Sequence, residues 1–271
     1  MPTAKVSDIQ VYYEVHGSGE PLLLIMGLGA HANSWEMQIP DFSREHKVIA
    51  FDNRGAGRSD KPSQPYTMPQ MADDAAGLLD ALGIGSAHVY GMSMGGMIAQ
   101  ELALRHPHRV RTLVLGGTMA GLANGIVAGP ELLQRWASNA LLPLEQAVEA
   151  GLHFLYSEEF IAANKERLVK RALEMAPLMA PFDSLQRQFM AVARFNAYDR
   201  LQEIRVPTLI ITGTHDKIVP AANSRILAER IPGARLVELA GAGHGFLAEK
   251  AAEANAAVLN FLRRHRSGSP K

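Results

Sequence analysis

The sequence predicts an α/β fold in which a mostly parallel central sheet is flanked by helices. Predominantly apolar runs at residues 21–26, 48–51, 87–90, 110–115 and 208–212, the first of them continuous, are typical of strands buried on both faces. Amphipathic segments with helical periodicity lie between several of these runs. Strands that alternate with helices in this way are characteristic of a parallel sheet covered by helices on both sides.

The N-terminal part of the chain contains a predicted hairpin and two predicted helices. Residues 6–15 alternate apolar and polar side chains, which indicates an antiparallel hairpin at one edge of the sheet. We expect a helix from about residue 35 to residue 46, with Asn33 or Ser34 as its N-cap. A further helix begins after Thr67, a good N-cap, and ends at Gly83.

The alternation fails between residues 119 and 198 and resumes after them. Residues 235–239 form the last predicted strand, and residues 248–264 the last predicted helix. Inside 119–198 the pattern predicts helices over residues 131–139, 144–154, 158–175 and 182–195. We therefore expect a core of residues 1–118 and 199–271, with residues 119–198 forming a helical cap, or lid, over the carboxyl ends of the strands.

Composition excludes several classes of function. The chain has 271 residues, a formal net charge of zero and no cysteine. Disulfides, thiolate metal sites and a cysteine nucleophile are thereby excluded, and no overall field attracts nucleic acid. No apolar run approaches the roughly 20 residues of a membrane helix, so we expect neither nucleic-acid nor membrane partners, and a cytoplasmic protein. The basic residues 263–266 read as a solvated helix end before a frayed tail to residue 271.

A serine between two glycines follows the third buried strand. Gly91-Met92-Ser93-Met94-Gly95 fits the Gly-x-Ser-x-Gly nucleophile elbow, in which a tight strand-to-helix turn exposes a serine hydroxyl at the edge of the sheet. Side chains at the flanking positions would collide with the neighbouring strand or helix. Ser93 is therefore the candidate nucleophile.

Two further residues can complete a catalytic triad with Ser93. A serine hydroxyl needs a base, and the base needs an orienting carboxylate. Asp216 follows the strand at 208–212, and His244 follows the strand at 235–239. Both are therefore expected at the carboxyl edge of the sheet, where α/β proteins bind their ligands. His215 is the rival base, but we expect it to face solvent. The expected catalytic residues are Ser93, Asp216 and His244.

The oxyanion of an acyl-transfer intermediate requires two N–H donors. Met94 directly follows the nucleophile and supplies one backbone N–H. Leu28, between Gly27 and Gly29 in the loop after the first buried strand, supplies the other. The same loop also matches the G-x-G-x-x-A pattern of dinucleotide binding, with Asp52 as the ribose-binding acid. That alternative leaves the other motifs unexplained.

Taken together, these motifs resemble the α/β-hydrolase fold superfamily over nearly the whole chain. The matching segments are Gly27-Leu28-Gly29, the motif from Asp52 through Arg54, Gly55 and Gly57 to Ser59, the elbow, residues 213–216 and Gly243-His244. The order Ser93, Asp216, His244 is also that of the superfamily. The chain is most similar to bacterial carboxylesterases and the 3-oxoadipate enol-lactonase-like group. It departs from many members in having Met26-Gly27 where they have His-Gly. The resemblance implies that Asp52 and Arg54 are structural.

The predicted function is hydrolysis of carboxylic esters or lactones through an acyl-enzyme on Ser93, with no cofactor and no metal. Because the loops at the sheet edge have no cluster of Arg or Lys, we expect small or medium neutral substrates. Aromatic residues that could line an acyl pocket are Trp136, Phe154, Tyr156, Phe182, Phe189 and Phe195. A C–C bond hydrolase, a perhydrolase-type haloperoxidase, a non-enzymatic receptor and a dinucleotide-dependent oxidoreductase remain alternatives. The sequence leaves open whether the chain forms a homo-oligomer.

Overall fold

The predicted strands lie in one eight-stranded sheet in a computed structural model that describes residues 2–139 and 141–266. The strands are β1 (Thr3–Val6), β2 (Ile9–His16), β3 (Glu20–Ile25), β4 (His46–Phe51), β5 (Ala87–Met92), β6 (Val110–Gly116), β7 (Thr208–Gly213) and β8 (Arg235–Leu239). Their order across the sheet is β1-β2-β4-β3-β5-β6-β7-β8. The pairs β1–β2 and β2–β4 are antiparallel, and the first of them confirms the N-terminal hairpin. All other pairs are parallel.

Helices cover both faces of this sheet, and in the part of the chain that the structure describes four more follow one another between β6 and β7. They are α1 (Ile39–Phe42), α2 (Met68–Ala81), α3 (Met94–Arg105), α4 (Pro130–Asn139), α5 (Leu144–Leu155), α6 (Glu158–Met175), α7 (Phe182–Arg194), α8 (Ala222–Arg230), α9 (Phe246–Glu249) and α10 (Ala251–Arg263). Successive residues of β3 point to opposite faces: Leu23 joins a core with α2 and α3, and Leu24 joins one with α10. Burial on both faces explains the continuous apolar run. The α/β prediction is confirmed.

The helix predicted for residues 35–46 is wrong in its extent. A 3₁₀ turn at Ala32–Trp35 is followed by the four residues of α1, which has Pro40 in its first turn. Proline has no N–H to continue a helix and instead starts a new one. Neither Asn33 nor Ser34 is the N-cap, and Asn33 Oδ1 accepts a hydrogen bond from Arg58 Nη2 at 2.7 Å.

Other helix ends follow their predicted signals more closely. Thr67 Oγ1 accepts the N–H of Gln70 at 3.2 Å at the start of α2, and Gly83 after its end has φ +65°. The last predicted helix begins earlier than expected and is interrupted at Lys250, between α9 and α10. The predicted frayed tail at residues 267–271 lies outside the described residues. Within the described ranges, no helix has the length and hydropathy to cross a membrane.

The segment between β6 and β7 contains the four predicted helices α4 to α7, each within one residue of its expected bounds. Leu152, Tyr156, Ile161 and Leu168 form a small apolar cluster of their own between α5 and α6. This separate cluster supports our proposal that residues 119–198 are a cap, which is the name used for them below. The division into core and cap stays a prediction.

A buried histidine at the amino-terminal edge of the sheet makes stability depend on pH. His88 on β5 is fully buried, with Nδ1 2.9 Å from Thr112 Oγ1 and Nε2 3.5 Å from Glu20 Oε2. Burial lowers the pKa of His88 from 6.5 to about 4. Between these values the unfolded chain holds a proton that the folded chain lacks, so stability falls as the pH falls.

We expect the free energy of unfolding to fall by roughly 2 kcal/mol through His88 alone between pH 7.5 and pH 5.0, as its pKa change implies. Urea unfolding of the wild type and of His88→Gln at both pH values measures this contribution. The variant should have the smaller pH dependence, whereas His108→Gln, at an exposed position, should behave like the wild type. Equal pH dependence in His88→Gln and the wild type would contradict the assignment.

Candidate active site

Ser93 occupies the sharp turn between β5 and α3, as the elbow motif predicts. Its backbone has φ 56° and ψ −121°, and among the described residues only Ser7 shares a positive φ without being glycine. A Cβ at Gly91 would lie 2.2 Å from the carbonyl oxygen of Gly95, and a Cβ at Gly95 would lie 2.0 Å from that of Ile25. Both flanking positions therefore require glycine. Strain of this kind persists only where the surroundings enforce it.

The surroundings of Ser93 fix its backbone from β6 and the loop after it. The Ser93 N–H donates to the Gly116 carbonyl at 2.8 Å, and Thr118 Oγ1 donates to the Ser93 carbonyl at 2.8 Å. Gly27 is in contact with the nucleophile, because a Cβ there would lie 3.0 Å from Ser93 Cβ. The elbow and the loop after β3 are thus held side by side.

Asp216 and His244 meet at the carboxyl edge of β7 and β8. His244 Nδ1 lies 2.7 Å from Asp216 Oδ2, and both residues are buried. Asp216 Oδ1 accepts the N–H groups of Ile218 and Val219 at 2.9 and 2.8 Å. An ionised carboxylate only accepts hydrogen bonds, so beside it a neutral His244 donates from Nδ1 and has its lone pair on Nε2. His215 is exposed, as expected of the rival base.

Ser93, His244 and Leu28 line one cavity of about 330 Å³. Most of its lining is apolar, from Met26, Met37, Met92, Leu155, Met179, Ile218 and Leu247. A volume near 300 Å³ with few polar groups is typical of a site for a small molecule. A larger groove of about 730 Å³ between α5 and α6 is lined mainly by Glu and Lys side chains and contains neither Ser93 nor His244. The smaller cavity is therefore the candidate site.

The two expected oxyanion donors flank the nucleophile. Met94 is the first residue of α3, with its side chain in the core, and its N–H belongs to the open amino-terminal turn of that helix. Leu28 follows Gly27, which contacts Ser93. Neither N–H donates a hydrogen bond to any residue that the structure describes. Leu28 also lines the cavity, so its N–H and that of Met94 remain the candidate oxyanion donors.

The aromatic residues of the cap divide between different environments. Among the five whose side chains the structure describes, Tyr156 alone lines the cavity, and burial raises its pKa, which keeps the phenol neutral. Phe182 and Phe189 are exposed, Phe195 is buried in the main core, and Phe154 is outside the lining. The side chain of Trp136 lies outside the described residues. The cap reaches the cavity mainly through Leu155, Tyr156 and Met179.

Sequence reasoning missed a cation in the cavity. Arg171 of α6 is the one Arg or Lys among the described residues that line the cavity. Its Nε pairs with Glu36, and its Nη groups make no hydrogen bond within the described part of the chain. Arg171 is one of several charged residues on α6, and nothing in its spacing distinguishes it. Only the packing of the cap places it here.

A second missed feature joins the cap to the loop of His244. Glu249 accepts the Gly243 N–H at 2.9 Å through Oε2, and its Oε1 accepts a hydrogen bond from Ser157 Oγ at the start of α6. The Gly245 N–H donates to the Leu155 carbonyl at 2.7 Å. Both neighbours of His244 are therefore bound, one through Glu249 and the other directly by the cap.

The loop after β4 does not have the geometry of a dinucleotide site. Asp52 is fully buried, and its carboxylate accepts the Ala32 N–H at 2.7 Å together with the backbone N–H and Nε of Arg58 at 2.7 and 2.9 Å. It has no free oxygen for a ribose, and the loop 27–29 leads into a 3₁₀ turn. Arg54 pairs with Asp74 at 2.6 Å. Both residues support loops, as the resemblance implies. Among the described residues, no cluster of three or more metal-ligand side chains occurs.

Comparisons with known proteins agree with this fold. Residues 20–251 match the sequence model of the alpha/beta hydrolase fold family. A protein of Azorhizobium caulinodans that carries the name carbamate hydrolase RutD is 38% identical over 264 residues, covering 96% of this chain and 98% of that protein. The enol-lactonase from Burkholderia xenovorans LB400 is 29% identical with a TM-score of 0.82, over 97% of this chain and 100% of that chain. A meta-cleavage product hydrolase from Pseudomonas fluorescens IP01 is 26% identical with a TM-score of 0.86, over 98% of each chain.

Proposed function

Because the chain belongs to the alpha/beta hydrolase fold family, we propose that it is a serine hydrolase that cleaves carboxylic esters or lactones through an acyl-enzyme on Ser93. The observation that carries this proposal is the strained Ser93 in one cavity with His244, whose Nδ1 is held by the buried Asp216 at 2.7 Å. The likeness to an enol-lactonase supports lactones as one substrate class.

The geometry supports a two-step acyl transfer. The Nε2 lone pair of His244 removes the Ser93 proton as Oγ attacks the substrate carbonyl, and the N–H groups of Leu28 and Met94 stabilise the oxyanion. His244 then protonates the leaving alcohol, and the acyl group stays on Ser93. Water, deprotonated by His244, attacks the acyl group, and His244 returns the proton to Ser93 Oγ as the acid is released. Asp216 fixes the tautomer of His244 and stabilises its cationic form. The partner in this reaction is a small molecule.

A substrate panel tests the proposal. It contains p-nitrophenyl esters of increasing acyl length, several lactones and carbamate esters, the last because of the relative named for carbamate hydrolysis. A meta-cleavage product is added, because C–C bond hydrolysis is the second candidate and the likeness to a hydrolase of that class supports it. We expect turnover of esters or lactones by the wild type. Exclusive cleavage of the C–C substrate would reassign the reaction, and no turnover of any compound would favour a receptor.

Arg171 favours substrates that carry one negative charge, whereas the sequence led us to expect neutral substrates. With Nε held by Glu36, the Nη groups can bind a substrate carboxylate in the cavity. The substrates are the mono-p-nitrophenyl ester of succinic acid, which keeps one free carboxylate, and the same compound with that carboxylate methylated. We expect Arg171→Met to lower the ratio of kcat/KM for the charged substrate to kcat/KM for the neutral one by roughly five- to tenfold. Arg167→Met, exposed one turn earlier on α6, should leave the ratio unchanged. An unchanged ratio in Arg171→Met would refute this role.

A further inference from the structure

One cap side chain is bound directly to the loop that carries the candidate oxyanion donor. Gln188 of α7 is completely buried. Its Oε1 accepts the Gly29 N–H at 2.8 Å, and its Nε2 donates to the Arg54 carbonyl at 2.8 Å. The Gly29 carbonyl in turn accepts the N–H of Ala180, another cap residue, at 2.8 Å. Both backbone groups of Gly29 are therefore held by the cap.

The loop around Leu28 has few other restraints. Asn53 Nδ2 binds the Met26 carbonyl at 2.8 Å, and Asp52 binds the Ala32 N–H at 2.7 Å, so the core holds the two ends of the loop. Between them the Ala30 N–H donates to the Gly27 carbonyl at 3.3 Å, and Gly29 has φ +71°. This is the arrangement of a type II turn with Leu28 and Gly29 at its centre.

A glycine in the third position of such a turn leaves its central peptide free to rotate, because glycine tolerates both signs of φ. Rotation of the peptide between Leu28 and Gly29 would turn the Leu28 carbonyl towards Gln188 Oε1 and remove the Gly29 hydrogen bond. The acceptor on Gln188 opposes that rotation. It thereby fixes ψ of Leu28 and the position of its Cα. The N–H of Leu28 belongs to the preceding peptide, which is joined to the restrained one at that Cα, and it has no partner in the described part of the chain.

We propose that Gln188 is a positioning residue for the oxyanion hole, through which the cap fixes the N–H of Leu28 in the orientation that stabilises the transition state. The proposal rests on the proposed function, since it assumes an oxyanion formed by attack of Ser93. The cap then contributes to the rate of the chemical step as well as to the walls of the cavity.

The test compares three variants with the wild type on the best ester of the panel. Gln188→Met has similar volume but no acceptor for Gly29, and Gln188→Glu retains an acceptor oxygen. Gln186→Met is the matched control, since Gln186 is exposed on the same helix. Rates are referred to folded enzyme by end-point titration with a fluorophosphonate, so that loss of folded protein does not count as loss of rate.

We expect Gln188→Met to lower kcat by about ten- to a hundredfold with little change in KM, because the oxyanion contact is made in the transition state. Binding of a trifluoromethyl ketone, which forms a tetrahedral adduct with an oxyanion, should weaken in parallel. Binding of the product acid should not change. Gln188→Glu should retain most of the wild-type kcat, and Gln186→Met all of it.

Other outcomes would overturn the proposal. Wild-type kcat in Gln188→Met, whatever its melting temperature, would leave Gln188 with a structural role only. An equal loss of kcat in Gln188→Met and Gln188→Glu would assign the effect to the Arg54 contact. A rise in KM alone would assign Gln188 to the walls of the cavity. Failure of the proposed function is distinct, since the wild type itself would then lack turnover that depends on Ser93.

Discussion

Replacement of Ser93 by alanine is expected to lower kcat/KM for the best panel substrate by roughly 10⁴- to 10⁶-fold, the loss that follows removal of a catalytic serine. Without Oγ no acyl-enzyme can form, and only the oxyanion donors and the cavity remain to assist attack by water. Alanine has the same Cβ as serine and adds no backbone strain at this position, so the elbow should remain folded.

Ser34→Ala is the matched control, because Ser34 lines the same cavity and has no assigned role in the chemistry. We expect it to retain kcat/KM within a factor of about three, the scale of a change at a position outside the triad. A fluorophosphonate should add its mass to the wild type and to Ser34→Ala, but not to Ser93→Ala. Turnover that persists in Ser93→Ala would exclude the acyl-enzyme mechanism.

Replacement of Asp216 by asparagine is expected to lower kcat by roughly 10⁴-fold, by analogy with the loss seen when a triad aspartate becomes an amide. Asparagine can still accept the N–H groups of Ile218 and Val219 through its oxygen. Its amide then faces Nδ1 of His244 as a donor. That favours the tautomer with the proton on Nε2, which cannot accept the proton of Ser93.

KM should change little in Asp216→Asn, because Asp216 is not among the residues that line the cavity. His215→Gln serves as the control and also tests the rival base, since His215 is the exposed neighbour of Asp216. We expect wild-type kcat from it. A large loss in His215→Gln together with wild-type rates in Asp216→Asn would reverse the assignment.

Local signals in the sequence predict most of the elements correctly. The hairpin, the buried strands and α2 with its Thr67 cap follow from periodicity, capping residues and glycine positions that act over a few residues. The failed helix at residues 35–46 contains Pro40, which lies in the first turn of the short α1 that follows the 3₁₀ turn. The segment before α1 is shaped by hydrogen bonds from Ala32 to Asp52 and from Arg58 to Asn33, whose partners are distant in sequence.

The candidate site follows the same division. Ser93 is recognisable because a tight turn demands glycine on both sides, and Asp216 and His244 because parallel strands end at one edge of the sheet. Arg171, Gln188 and Glu249 lie in helices, where the sequence pattern predicts only which face is apolar and not which partner a polar side chain binds. Their partners are Glu36, Gly29 and Gly243.

The sequence by itself therefore determines the α/β fold, the elbow and the order of the candidate triad, since these depend on short-range sterics and on the direction of the strands. Only the tertiary structure decides how the cap meets the core. Gln188 is separated by 159 residues from the glycine that it binds, and hydrogen bonds over such distances leave no periodic trace in the chain. The charge in the cavity and the restraint on the loop of Leu28 both arise from that packing.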